Sequence, residues 1–349
     1  MKNNNEHLLQ SVSELIEESR KLIVRNVNTT MVFTYFNIGR MIVEEEQQGE
    51  ERAAYAELVL KELSIYLTKE YGKGFSHRNL EYFRKFYLSY MNRISQSVIA
   101  KFDIGNQRVL NTQTLIAFSE HFRLSWTHYI QLMKIENSEE RDFYEIESAS
   151  NNWSVRELQR QFSSSLFERL AISKNKQQIK KLSTEGQIID KPFDTLKSPF
   201  VLEFLNIKED STYSENDLES AIIDKLEHFM MELGKGFLFE GRQRRITLDG
   251  DHFYVDLVFY NRLLRCFVLI DLKIGKLTHQ DIGQMQMYVN YYDRKVKLTD
   301  ERNTIGIVLC KQENKTVVEF TLPLGNEQIF AREYKLYLPS KEDFKKQLE

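Results

Sequence analysis

From Glu6 to Phe167 apolar residues return at intervals of three and four, and no proline interrupts them. Leu8, Val12, Leu15, Ile16, Leu22 and Ile23 mark the first stretch, and the spacing predicts helices. A new helix is expected near Thr29 or Thr30, carrying Val32, Phe33, Tyr35, Phe36, Ile38, Met41 and Ile42 into the acidic run EEEQQGEER, a solvated helix end. Later starts are marked by capping residues: Ser76 before HRNLEYFRKFYLSYM, Ser125 before WTHYIQLMKI, and Ser154 with Glu157 in WSVRELQRQF. Arg78 to Lys85 and Arg156 to Arg160 would then lie near helix starts, as residues of a DNA-reading helix do. A helical interaction or dimerisation domain with ordinary solvated basic residues accounts for them equally well.

Between Ala171 and Phe200 the text becomes polar and Lys-rich, with Pro192 and Pro199 inside it. This divides the chain into an all-α domain over 1–171, a linker over 172–198 and a second domain over 199–349. The second domain opens with one amphipathic helix in YSENDLESAIIDKLEHFMMELGKG, capped by Ser214. FLFEGRQRRITLDGDHFYVDLVFY follows, with Asp249-Gly250 as a type I′ turn between two strands. A third strand, CFVLIDLK, follows NRLL; then come a helix capped by Thr278 and a buried strand, TIGIVLC. TVVEFTL and YKLYLP read as further strands. The order is α-β-β-β-α-β.

Length and charge narrow the function classes. The chain has 349 residues, room for two cores, and a net charge of −3, so a surface for nucleic acid must be a local patch. Two cysteines, Cys266 and Cys310, supply neither a metal spacing nor a disulfide framework, which suits a reducing cytoplasm. No apolar run reaches the roughly 18 residues of a membrane span.

Two acids stand where strands rarely carry them, Asp256 and Asp271. Asp271 and Lys273 share a face of their strand. If Tyr260 pairs with Arg265 across the turn, Asp256 lies opposite Leu269 and diagonal to Asp271. Carboxylates gathered in a half-buried place favour a hard cation, and a neighbouring ammonium suits phosphodiester hydrolysis. The plain alternative is a surface hairpin with one cross-strand ion pair. Glu219 borders the stripe of the preceding helix, while Gln284 and Tyr288 share a helical face turned toward either the acids or the core.

Taken together, a helix Glu, a second-strand Asp and D-x-K in the third strand resemble the PD-(D/E)xK nuclease superfamily. IDLKIG followed by QMQMY is similar to the D-x-K-x-G and Q-x-x-x-Y signatures of RecB-type nucleases. WSVRELQRQ, GRQ and LRCFVLIDLK extend the likeness to bacterial YhcG-like nuclease-domain proteins, nearly end to end. The resemblance implies an α+β, restriction-endonuclease-like domain behind a helical one. It implies Glu219, Asp256 and Asp271 as ligands of Mg²⁺ or Mn²⁺, Lys273 as the residue assisting the attacking water, and Gln284 as a further catalytic residue. Val255 replaces the proline usual before the first strand acid, and Asp271 replaces the commoner Glu. DNA is the expected substrate, with Arg242, Arg244, Arg245 and Arg156 as phosphate contacts and a homodimer as the expected assembly. A catalytically silent nucleic-acid-binding protein and a helical assembly protein on the same scaffold are the alternatives.

Overall fold

A computed structural model of the chain describes residues 2–48, 52–93, 103–104, 107–108, 112–172, 174–208, 212–341 and 344. Two compact units divide it, Met1–Arg141 with Ser148–Val155 and Asp142–Glu147 with Arg156–Glu349. The first contains α1 (Lys2–Gln48), α2 (Arg52–Tyr71), α3 (His77–Tyr90), α4 (Thr112–His121) and α5 (Trp126–Leu132). A two-residue ladder, Asp103–Ile104 with Gln107–Arg108, is also present.

The expected helix start near Thr29 or Thr30 does not occur, because α1 runs through it for 47 residues. Thr30 Oγ1 donates to the Asn26 carbonyl and Thr34 Oγ1 to the Thr30 carbonyl, each at 2.8 Å, so these hydroxyls bond back within the helix and do not cap it. Of the acidic run, Glu46 pairs with Arg84 at 2.7 Å, and residues 49–51 lie outside the described residues. The core of this unit is aromatic: Phe36, Phe86, Phe118, Phe122 and Tyr129 are all buried. Gly39 lets α1 and α3 meet, since a Cβ there would fall 2.0 Å from the Phe83 carbonyl oxygen. Ser76 and Ser125 stand at the helix starts expected of them.

Helix α6 (Ser138–Ser150) contributes residues to both units. Beyond it come α7 (Val155–Ser163), α8 (Leu166–Ala171) and α9 (Lys176–Glu185). The second compact unit takes in Asp142–Glu147 and Arg156–Glu349, so α8 and α9, the latter inside the expected linker, belong with the sheet. The cause is electrostatic. Arg169 of α8 is fully buried against the carboxylate of Glu232, which also accepts from the Val201 backbone N–H at 2.9 Å. Lys197 donates to the Glu232 carbonyl, and Arg160 of α7 reaches Glu203 at 2.9 Å. Arg160 is turned inward in this way and leaves the DNA-reading surface expected of Arg156 to Arg160, where Arg156 and Gln159 stay exposed; the next residue, Gln161, donates to Glu157 at 2.6 Å. Such a network holds α7 and α8 to the sheet unit, because a buried charge separated from its partner would cost several kcal/mol.

The sheet contains β1 (Phe200–Val201), β2 (Phe237–Leu248), β3 (Asp251–Asn261), β4 (Cys266–Lys276), β5 (Ile305–Gln312) and β6 (Ile329–Lys335), in the order β1-β6-β5-β4-β3-β2. Strands β2, β3 and β4 form the expected antiparallel meander; β4, β5, β6 and β1 run parallel. Asp249 and Gly250 both have positive φ, the signature of the I′ turn. The single helix expected before the meander is two, α10 (Glu215–Asp224) and α11 (Leu226–Leu233), separated by Lys225 at φ −119° and ψ 31°. Leu218, Ile222, Phe229 and Leu233 cover one side of the sheet; Ile282, Met285 and Val289 of α12 (His279–Tyr291) cover the other. TVVEFTL is not a strand: Lys315–Thr321 is a helix, α13, capped by the Asn314 side chain on the Val317 N–H at 3.3 Å. YKLYLP is a strand only at its start, where Tyr334 and Lys335 end β6.

Candidate active site

The turn between β3 and β4 fixes the acids' positions. Asn261 pairs with Cys266, and its side-chain oxygen accepts the N–H groups of Leu263 and Leu264 at 3.0 and 3.1 Å, so the loop is Arg262–Arg265. Tyr260 therefore pairs with Phe267 and not Arg265, and Leu257 with Ile270. Continued by one residue, this register sets Asp256 directly across from Asp271, closer than the expected diagonal.

Asp256 is held at both oxygens. Oδ2 accepts the Leu272 backbone N–H at 2.8 Å, and Oδ1 accepts the Gln243 amide at 3.0 Å. The same Gln243 nitrogen donates to Glu219 Oε2, so one amide joins the α10 acid to the β3 acid. Gln243 has φ 48°, a left-handed conformation that side chains rarely adopt. Glu219 is raised above the usual carboxylate range, chiefly by burial and further by Asp256, while its bond to Gln243 opposes the shift.

Asp271 is 2% exposed, and its carboxyl is pushed up to about 7, first by burial and then by the charge of Asp256. Lys273 Nζ lies 2.8 Å from Asp271 Oδ2 as an ion pair, off the direction of a good hydrogen bond, and 3.5 Å from Glu215. Burial alone would lower the Lys273 pKa, but Asp271 and Glu215 together raise it. The ammonium stays charged.

Gln284 does not touch the acids. It donates to the Tyr288 hydroxyl, which donates to the Tyr254 carbonyl at 2.8 Å and so ties α12 to β3 two residues before Asp256. Gln284 is thus joined to β3 through the Tyr288 hydroxyl. Arg242, Arg244 and Arg245 are exposed on β2, and Arg242 faces Glu219 closely enough to draw its pKa down. Arg244 is gripped by Glu240, with Nε 3.1 Å from Oε2. Lys235 serves the fold, at 2.8 Å from Glu147. Arg156 is exposed on α7, and among the described residues no hydrogen bond or ion pair joins it to the acids.

Two partners escaped the sequence reading, Gln243 and Glu215. Counting back from the Asp249-Gly250 turn would have found the first, since Leu248 faces Asp251 and the same register sets 243 opposite 256. Glu215 opens α10, where a helix dipole explains an acid without any site.

Among the described residues, no three acidic, histidine or cysteine side chains close around one point as a metal site. The donor set nevertheless suits a hard cation: Glu219 and Asp256 reach the same amide nitrogen, and Asp271 Oδ2 is buried without a well-directed hydrogen bond. Carboxylate oxygens of this kind take Mg²⁺ or Mn²⁺ in preference to softer metals.

Residues 193–349 match the YhcG PDDEXK nuclease domain, and residues 11–169 match the DUF1016 N-terminal domain. The Escherichia coli (strain K12) protein named "Putative nuclease YhcG" is 39% identical over 338 residues, covering 94% of this chain and 89% of that one. A repair endonuclease from Pyrococcus abyssi aligns over 38% of this chain and 50% of its own at 21% identity and a TM-score of 0.25. An EndoMS–double-stranded DNA complex aligns over 39% and 50% at 16% identity and a TM-score of 0.26. Matched along nearly its whole length, with the acids and lysine of the nuclease domain gathered at one end of the meander, the chain belongs to the YhcG family of PDDEXK nuclease-domain proteins.

Proposed function

We propose that the protein is a metal-dependent endonuclease hydrolysing phosphodiester bonds in DNA, with residues 199–349 carrying the chemistry. The observation that carries this reading is the pairing of a permanently charged Lys273 with a buried Asp271 beside Asp256. Glu219, Asp256 and Asp271 would hold the cation. A bound Mg²⁺ or Mn²⁺ supplies Lewis-acid polarisation of a phosphoryl oxygen. The Leu272 N–H and the Tyr288–Tyr254 bond keep β3 and Asp256 in place. Lys273, an ammonium in this setting, donates to the attacking water or to the phosphate and does not take a proton. Arg242 and Arg245, exposed on β2, are placed to meet backbone phosphates, with Arg156 as a further contact.

The helical unit targets or dimerises the enzyme in this reading. Leu8, Leu9, Val12, Leu15, Ile16, Leu22 and Ile23 all lie exposed on α1, a face suited to a second copy. The test is incubation of purified full-length protein with linear, branched and single-stranded DNA, and with RNA, in Mg²⁺, Mn²⁺ or EDTA. Cleavage of DNA with either cation and none in EDTA is expected. No cleavage of any substrate with either cation would overturn the reading in favour of a silent scaffold, and cleavage of RNA alone would reassign the substrate.

A further inference from the structure

The helical unit contains a cationic cleft that the nuclease chemistry does not use. Arg20, Val24 and Asn28 succeed one another at intervals of four along α1, with Arg25 and Thr29 on the neighbouring stripe. Together with Arg123, Leu124 and Ser125, from the connection between α4 and α5, they line an open cleft of about 380 Å³. Three guanidiniums, an amide and two hydroxyls line this space, and no carboxylate does.

The charges are largely uncommitted. Among the described residues no carboxylate pairs with Arg25 or Arg123, and both side chains are exposed. Arg20 shares a contact with Glu17 at 3.0 Å, but the pair is 71% and 55% exposed and contributes little. Leu124 is buried beneath the cleft and Val24 lies at its side, which gives it an apolar wall as well as a charged rim.

We propose that this cleft binds backbone phosphates of a nucleic-acid strand, as a docking site separate from the exposed arginines of β2. Its preference for phosphate follows from the guanidinium forks of Arg25 and Arg123, which no described carboxylate engages, beside the Asn28 amide and the Thr29 hydroxyl. A volume several times that of one carboxylate suits a phosphate with its attached sugar better than a lone acidic side chain. Only the choice of nucleic acid over another polyphosphate rests on the reading of the chain as a nuclease.

The test is binding of a fluorescent oligonucleotide to the full-length protein in EDTA, read by anisotropy across a salt series. Without divalent cation no cleavage is needed, so the result is independent of whether the chain is a nuclease. Arg25→Ala with Arg123→Ala is expected to weaken binding at least about tenfold at low salt. The slope of log K against log[salt] should become shallower by about 1.8 for double-stranded DNA, the loss of two phosphate contacts. Arg25→Lys with Arg123→Lys should keep most of the affinity and the slope, and circular dichroism matching the parent assigns any loss in the alanine variant to the cleft. Unchanged affinity and slope in the alanine variant would overturn the proposal. So would binding of pyrophosphate or an acidic peptide that this variant loses while oligonucleotide binding persists, since the cleft would then serve a small anion or a protein partner.

Discussion

Gln243 donates from a single side-chain nitrogen to Asp256 Oδ1 at 3.0 Å and to Glu219 Oε2, and so stands between two acids that would otherwise face each other. Its backbone is in the left-handed region, at φ 48°, to put it there. A cation held by Glu219 and Asp256, as proposed, would compete with this amide for the same oxygens. Gln243→Ala is therefore expected to lower the melting temperature in EDTA, since hydrogen bonds to charged groups contribute about 1.5–3 kcal/mol each. It should also raise Mn²⁺ affinity by about tenfold or less in titration calorimetry, because the cation no longer displaces a donor. A fall in Mn²⁺ affinity would show that Gln243 is a ligand and does not stand in the cation's place.

Asp271 and Lys273 separate by experiment. Asp271→Ala should abolish cleavage while DNA binding survives, because the exposed arginines are untouched. Lys273→Ala should cripple turnover yet leave Mn²⁺ binding largely intact, since an ammonium is no ligand. Lost cation binding in the lysine variant would contradict that division of roles.

The same acid gives a stability prediction. Burial and the charge of Asp256 push the Asp271 carboxyl of the folded chain from the ordinary 3.8 up to about 7, so the folded state holds its proton longer and stability falls as pH rises from about 3.8 to 7. At pH 8 without cation, Asp271→Asn should melt higher than the parent, by about 2–4 °C for each kcal/mol relieved. Equal melting temperatures would mean that the buried charge is better compensated than its surroundings indicate.

The meander and its I′ turn were legible because alternation and the Asp249-Gly250 pair are local signals, and the D-x-K pair because strand periodicity puts Asp271 and Lys273 on one face. The register was not. Tyr260 facing Phe267 depends on Asn261 capping the loop with its side chain, and a short polar string admits several closures. Helix α1 misled for a related reason: Thr30 has the chemistry of a cap, and only packing decides whether its hydroxyl turns forward to cap or back to Asn26. The inward turn of Arg160 was invisible because its partners, Glu203 and Glu232, are 43 and 72 residues away.

Glu232 joins α8 to the sheet unit, and its titration should show it. Burial alone would raise its carboxyl, yet Arg169 and then Lys197 hold it down to about 2. A depressed folded pKa gives stability that is present above about 4.5 and is lost as pH falls toward 2. Lys197, lowered to about 8 by burial against the pull of Glu232, acts in the opposite range: the unfolded chain holds its proton up to about 10.5, so stability rises with pH between the two values. Glu232→Gln should flatten the acid limb of the melting curve and cost about 3–5 kcal/mol at neutral pH, because it leaves Arg169 buried without its counter-charge. A loss under 1 kcal/mol would mean that Arg169 finds enough partners in the carbonyls of Ser164 and Pro199, at 2.8 and 3.1 Å.

The first half of α1 sets the last expectation. Leu15 is 64% and Ile23 63% exposed, and with Leu8, Val12, Ile16 and Leu22 they repeat at three and four residues along the helix. Forty-seven residues extend about 70 Å at 1.5 Å each, more than a single helical layer can cover. An apolar stripe of this length left in water favours self-association, and a second copy presents the same stripe for a two-fold pairing. Full-length protein is expected to be dimeric in light scattering. Ile16→Glu with Ile23→Glu should make it monomeric while helical content is unchanged, because neither side chain is part of the aromatic core around Phe36. A wild-type monomer at micromolar concentration would remove self-association as the purpose of the stripe, and a dimer that survives both glutamates would place the interface elsewhere on the chain.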